Sequence, residues 1–442
     1  MPDGGFAGGR VPPFRGRRKQ KKTRQVEMQE RAQNTGAAKR FAAMVATNAL
    51  GAFNENFFKE AAMLVAIAAG KSYLQGYSTM IFAFPFLLFA APAGWLADRF
   101  PKRRVIIGVK LFEVMAMSTG AYGLYTGNWT LIFIMASLMA TQGVIFSPAI
   151  NGSIPELFPD GYVVKANAIM TVAVLSAILA GVAGAGFALG RKEAVWSGGP
   201  QGRTLVMFIA IGVTIAGFLF SVGVPGFPAA APRKKFPWRG PAATLAELYR
   251  FRKDRLLAIA VATDVFVYVL GSLQIQVINQ LGLWQLRAGE TLTGLMVVAQ
   301  LVGFGIGGFV SSLFARGAGW HRALPPGAGL MALSMGLIPA ASGLAPLQRL
   351  YAFLALFIAA GAGGGMLLVA CRSFIQVRAT AAERGTVLAA ANFAIFGGIM
   401  LSGPLANLMN KHILPTTSYG AMGTVALFAS GFLYVLLKNP AR

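Results

Sequence analysis

Apolar residues run through this chain in long blocks separated by short clusters of charge, proline and glycine. Neither the strict alternation of a half-buried strand nor the narrow apolar stripe of a water-soluble helix is seen. Blocks of about 20 apolar residues are what a bilayer-crossing helix needs. They predict twelve transmembrane helices, at 41–69, 75–97, 104–125, 128–150, 165–190, 203–226, 255–281, 290–315, 322–343, 347–370, 385–409 and 418–438. An even number puts both termini on one side. The long internal break, 226–253, carries Pro232, Arg233, Lys234, Lys235, Pro237, Trp238 and Arg239, and divides the helices six and six. Two six-helix halves suit a pseudo-twofold transporter. Ala46-Thr47-Asn48 in the first helix of one half is echoed by Ala262-Thr263-Asp264 in the first of the other, and the loop after the second helix is basic in both. The organisation expected is a disordered basic tail at 1–40, a first half at 41–228, a linker at 229–254 and a second half at 255–442.

Composition agrees with an all-α polytopic membrane protein. Of 442 residues, 55% are hydrophobic and only 12% charged, against roughly 25% charged in soluble domains. The net charge of +25 would suggest nucleic acid in a soluble protein, but here the position of each charge matters more than the sum, and no nucleic-acid partner is expected. With the termini inside, thirty Lys and Arg fall on inside segments and seven on outside loops, as the positive-inside rule requires. That places both termini, the 99–104 loop and the linker in the cytoplasm, with the tail held there by its charge. One cysteine, Cys371, excludes a disulfide framework, and two histidines, His321 and His412, leave no zinc-type cluster. No cofactor or metal is expected. An enzyme is not expected either: a glycerolipid acyltransferase would place Asp five residues after His, where this chain has Pro326 and Thr417.

Candidate chemistry lies inside the helices. Asn48, Glu55 and Lys59 fall at i, i+7 and i+11, so they share a face of the first helix, and Glu55 and Lys59 form an i,i+4 pair. Ionisable groups inside a spanning helix normally face the bundle interior or a water-filled cavity. Glu55 can anchor a cationic or zwitterionic head group or carry a proton; alternatively it and Lys59 simply neutralise each other. Lys110 and Glu113, at i,i+3 in the third helix, read as a structural pair, and Asp264 as a second cavity candidate. Small residues four apart, Ala177-Gly181-Ala185, Gly303-Gly307 and Gly361-Gly365, predict flat faces for close packing in lipid.

Two stretches carry family likeness. Gly94-Trp95-Leu96-Ala97-Asp98-Arg99-Phe100-Pro101-Lys102-Arg103-Arg104, between the second and third helices, resembles the signature loop of the major facilitator superfamily, with Pro101 where that family usually has a second glycine. The resemblance implies a conformational switch loop built on Gly94, Asp98, Arg99, Lys102 and Arg103, with Gly94 admitting a neighbouring helix. Gly51-Ala52-Phe53-Asn54-Glu55-Asn56-Phe57-Phe58-Lys59 and Phe146-Ser147-Pro148-Ala149-Ile150-Asn151-Gly152-Ser153-Ile154-Pro155-Glu156-Leu157 resemble the lysophospholipid transporter branch of that superfamily, whose relatives can be fused to acyltransferase domains. This implies a secondary transporter of a bacterial inner membrane, moving lysophospholipid, of the lysophosphatidylethanolamine type, to the inner leaflet by alternating access. A mostly apolar cavity would be lined by Phe53, Phe57, Phe84 and Met170, with Asn48, Asn54, Glu55, Lys59, Gln142 and Asp264 as polar contacts. As the chain ends at Arg442, the acyltransferase is expected as a separate polypeptide. Proton-coupled efflux of drugs or other amphiphiles, and a transport-incompetent scaffold, are the other readings.

Overall fold

The computed structural model describes residues 16–158, 160–190, 201–229, 231–233, 235–314, 317–378 and 384–437. Fourteen α-helices and no strands occur among them. The first half contains α1 (Gly16–Ala68), α2 (Tyr73–Arg99), α3 (Lys102–Thr126), α4 (Trp129–Gly152), the short α5 (Ile154–Leu157), α6 (Asp160–Gly190) and α7 (Gln201–Val222). Linker helix α8 (Gly240–Arg250) follows. The second half contains α9 (Arg255–Gln280), α10 (Gly289–Phe314), α11 (Leu324–Ala341), α12 (Pro346–Arg378), α13 (Arg384–His412) and α14 (Pro415–Leu437).

Local chemistry sets these boundaries. Gly127 takes φ 71 to close α3, and the Asn128 side chain then accepts from the Thr130 and Leu131 amides to cap α4. Phe100, held extended before Pro101, ends α2, and Asp254 caps α9 by accepting from the Leu257 amide at 3.2 Å. Eleven helices among the described residues are long and apolar enough to cross a bilayer. Residues 41–68 of α1 are helical too, but Glu55, Lys59 and Glu60 make that stretch more polar than the rest.

Two expectations need correction. The basic segment is not irregular throughout: α1 begins at Gly16, because 16–40 is made of good helix formers with no proline to stop them; residues 1–15 lie outside those described. Helix α12 runs on to Arg378, eight residues past the apolar block, since a helix can outlast the greasy run that betrays it.

The halves repeat one packing scheme. In the first, α1 packs on α6 and α7, α2 on α4, and α3 on α4 and α7; in the second, α9 packs on α13, α10 on α12, and α11 on α12 and α14, with the difference that α9 leans on α12 more than on α14. The principal contacts between halves are α2 with α13 and α6 with α10, each pairing the second long helix of one half with the fifth of the other. The small-residue rows account for the closest approaches. A Cβ at Gly303, Gly307, Gly361 or Gly365 would run into the carbonyl oxygen of Ile358, Ala362, Gln300 or Phe304, so α10 and α12 touch backbone to backbone. Gly181 stands likewise against the Phe53 carbonyl of α1.

Candidate functional site

Burial along α1 and α9 shows which end of the bundle is shut. Glu60 to Ile67 and Gln276 to Gly282 are buried on every face, whereas 41–53 has only Met44 and Thr47 buried. At that end Gly76 of α2 and Gly403 of α13 meet backbone to backbone, Asn407 Nδ2 donates to the Tyr73 carbonyl at 2.9 Å, and Gly186 of α6 lies against the Glu290 carbonyl of α10. Towards the other end α6 loses its cover: 167–169, 171–172 and 175–176 are exposed. The space between the halves therefore opens towards the end where α9 begins and where α8 and the 99–101 loop lie.

In the first half Glu55 and Lys59 pair at 3.5 Å, each side chain about a third exposed. The Lys59 ammonium also sits 4.3 Å from the centroid of the Phe82 ring. Both residues border a pocket whose wall is Phe58, Met117, Ile132, Met135 and Met139, and Gly143 of α4 leaves room beside the Glu55 carboxylate. The cleft behind the pair holds only about 20 Å³, room for about one water, and its wall is buried, so in this conformation the ion pair offers both charges of a zwitterion at the edge of a closed apolar wall. Asn48, one face with them by sequence, is half-buried.

Two predicted contacts point elsewhere. Asn54 is fully buried, and its Nδ2 donates to the Ala210 carbonyl at 3.1 Å and to Thr214 Oγ1, both on α7, away from the opening. Gln142 donates to Glu113 Oε2 at 2.8 Å within the buried Lys110 pair. That pair sits where Gly51 of α1 makes space, since a Cβ there would lie 2.5 Å from Lys110 Nζ. Of the expected apolar lining, Phe57 and Met170 are buried and Phe84 is exposed.

In the second half Asp264 is fully buried and faces Arg372 of α12, Nε to Oδ2 at 2.8 Å. The approach lacks hydrogen-bond alignment and leaves both carboxylate oxygens without a donor. Arg372 in turn donates from Nη1 to Asn392 Oδ1 of α13 at 3.0 Å and lies 5.4 Å from the Tyr268 ring centroid. From the sequence alone Arg372 reads as one of the thirty inside charges, beyond the apolar block 347–370. Its place two residues beyond the end of an apolar block, with an acid buried in a neighbouring helix, was the available signal.

The signature-like loop holds neighbours together. Lys102 pairs with Glu156 of α5, and Gly152 clears the path of its side chain, so the two motifs interlock. Arg103 Nη2 donates to the Val222 carbonyl at 2.8 Å, capping the end of α7. The Asp98 carbonyl accepts from the Ala231 amide at 2.8 Å, and Arg99 lies over Trp95, which meets Phe236 edge-on. Gly94 has nothing within 4 Å of a Cβ position, so the close helix approach expected there does not occur; α2 makes its tight contact at Gly76 instead.

These features define a multi-pass membrane protein with the major facilitator fold. The inward-open xylose transporter XylE from E. coli superposes with TM-score 0.65 at 16% identity, covering 89% of this chain and 95% of that one. A bacterial homologue of the iron transporter ferroportin, in its inward-facing state, gives 0.66 at 14% identity over 92% and 99%. In sequence the chain is similar to the lysophospholipid transporter LplT of Photorhabdus laumondii, 31% identical over 136 residues. That match spans 29% of this chain and a third of the relative's length. No family model matches the chain. The named relatives are transporters rather than enzymes, which agrees with the sequence reading.

Proposed function

We propose that the protein is a secondary transporter of lysophospholipid, working by alternating access in a bacterial inner membrane with both termini cytoplasmic. The observation that supports this best is the Glu55–Lys59 pair set at the edge of the Phe58, Met117, Ile132, Met135 and Met139 pocket. A lysophospholipid is one acyl tail on a zwitterionic or anionic head; the pair would meet the head with both charges, and the cleft behind it, about 20 Å³ in this conformation, must widen before its deformable methionines can take the tail. With the termini inside, the open end of the bundle faces the cytoplasm, so this conformation would release substrate towards the inner leaflet.

The test is transfer of labelled lysophosphatidylethanolamine across the membrane of proteoliposomes. Transfer above that of protein-free vesicles, competed by unlabelled lysophospholipid and not by hydrophilic solutes, is expected. Transfer no faster than in protein-free vesicles, from protein that is folded by its thermal transition, would overturn the substrate assignment.

A further inference from the structure

A second carboxylate of α1 lies apart from the pocket. Glu60 is five positions beyond Glu55, about 140° around the helix, and faces the other half of the molecule rather than the Lys59 side. It is 4% exposed, and its Oε1 has no hydrogen-bond partner. Its side-chain neighbour is Asn279 of α9, fully buried, whose Nδ2 lies 3.4 Å from Gln75 Oε1 of α2 and 4.0 Å from Met63 Sδ. Asn279 Oδ1 and Gln75 Nε2 are also without partners. The cluster joins α1 and α2 of one half to α9 of the other at the closed end.

Among the described residues no ion pair to Glu60 is formed. The charge that acts on it is Lys59, its chain neighbour, whose ammonium is engaged by Glu55 and the Phe82 ring. From α2 it meets Gln75, while Tyr73 and Tyr77 are half-exposed; α9 offers Asn279, and 181–190 of α6, against α1, has no ionisable residue. Asn279 gives the carboxylate a hydrogen bond, but one neutral donor, with Oε1 left bare, does not offset the burial of an ionised group in such a place. A proton removes the charge and supplies the O–H donor that Asn279 Oδ1 lacks.

We propose that Glu60 is a proton-binding site of the transport cycle, protonated while this end is closed and releasing its proton when the halves part and water reaches it. The inference rests on the alternating-access reading but not on the identity of the substrate. By linkage, protons favour the closed state here, and a single site changes the open-to-closed ratio by up to about tenfold per pH unit.

The experiment places spin labels on cysteines at Lys71 and Leu344, in loops of opposite halves at the closed end, in protein with Cys371 replaced. Distances are read in reconstituted membranes without substrate from acid to alkaline pH. In the wild type the long-distance population should grow as pH rises; Glu60→Gln should stay short at every pH. Glu60→Asp keeps the acid and should keep the response with a displaced midpoint, which covers the case of a Gln variant that does not fold. A wild type that ignores pH, a Glu60→Gln variant that responds like wild type, or a Glu60→Asp variant with an unmoved midpoint would each overturn the proposal. Because no substrate is present, a failure of lysophospholipid transfer leaves this result standing, and the reverse.

Discussion

Lys110 Nζ stands 2.6 Å from Glu113 Oε2, both side chains 1% exposed, and this pair on α3 divides the apolar core of the first half in two. On one side lie Phe57, Phe58, Met117, Ile132 and Met139; on the other Met44, Val105, Ile106, Phe146 and Ile150. The second half has one continuous core. A buried pair that also satisfies Gln142 holds α3 and α4 in one rotational setting, while the Phe146 ring, 4.8 Å from the ammonium, covers it.

The first prediction follows from the asymmetry of such pairs. Removing one partner leaves a buried charge and costs about 3–5 kcal/mol, whereas replacing both by apolar groups of similar volume is often neutral or stabilising. Lys110→Met and Glu113→Leu should each lower the thermal midpoint sharply, and the double variant should recover most of the loss. Additive losses in this cycle would show that the two charges do not depend on each other.

Glycine position decides the second. Gly305 has nothing within 4 Å of a Cβ position, while Gly307, two residues on, abuts the Ala362 carbonyl. Gly305→Ala should therefore be nearly silent, and Gly307→Val should force α10 from α12 at the upper end of the roughly 1–3 kcal/mol typical of overpacking. Comparing their yields and thermal midpoints in detergent checks the contact; equal behaviour would contradict it.

The helices were legible in the sequence because lipid demands long apolar blocks and because Gly127, Asn128, Pro101 and Asp254 mark where they stop and start. The side-chain partners were less so. Glu55 and Lys59 could be paired from spacing within one helix, but Asn54 could be assigned to α7, and Arg372 to Asp264, only once helices distant in sequence were brought together. Glu60 was hidden for the same reason: its environment is made by Gln75 and Asn279, 15 and 219 positions away, and no local pattern announces it.

Orientation gives the third prediction. Lys71, at the closed end, and Lys235, in the linker, are both exposed, so reagent access to cysteines there is limited by the membrane alone. In intact cells, with Cys371 replaced, an impermeant thiol reagent should modify a cysteine at 71 and spare one at 235 until the membrane is opened. The opposite pattern would reverse the molecule and make this conformation outward-open.

The Glu55–Lys59 pair is open enough to solvent that its contribution to stability should be small, at most about 1 kcal/mol. Glu55→Gln keeps the size of the side chain, so yield and thermal midpoint should stay near wild type while lysophospholipid transfer falls at least tenfold. Transfer at the wild-type rate would make the pair a packing feature and remove it from the substrate path.

The last prediction concerns Asp254, which caps α9 and pairs with Arg378 Nε at 2.7 Å, tying the start of α9 to the end of α12. Burial pushes its carboxyl up, but the Arg378 hydrogen bond and charge and the Leu257 and Leu256 amides together outweigh that and hold it below the usual aspartate value. With the folded-state value depressed, the unfolded chain binds the proton more readily, so the stabilisation is present above the unfolded value and is lost as pH falls through the folded one. Asp254→Asn preserves a good cap but loses the ion pair, and Asp254→Ala loses both, the cap alone being worth about 0.5–2 kcal/mol. At neutral pH the order of thermal midpoints should be wild type, Asn, Ala. On acidification the wild type should fall towards the Asn variant, while the Ala variant stays below both. A gap between wild type and Asn that persists unchanged in acid would show that the carboxylate charge is not what links α9 to α12.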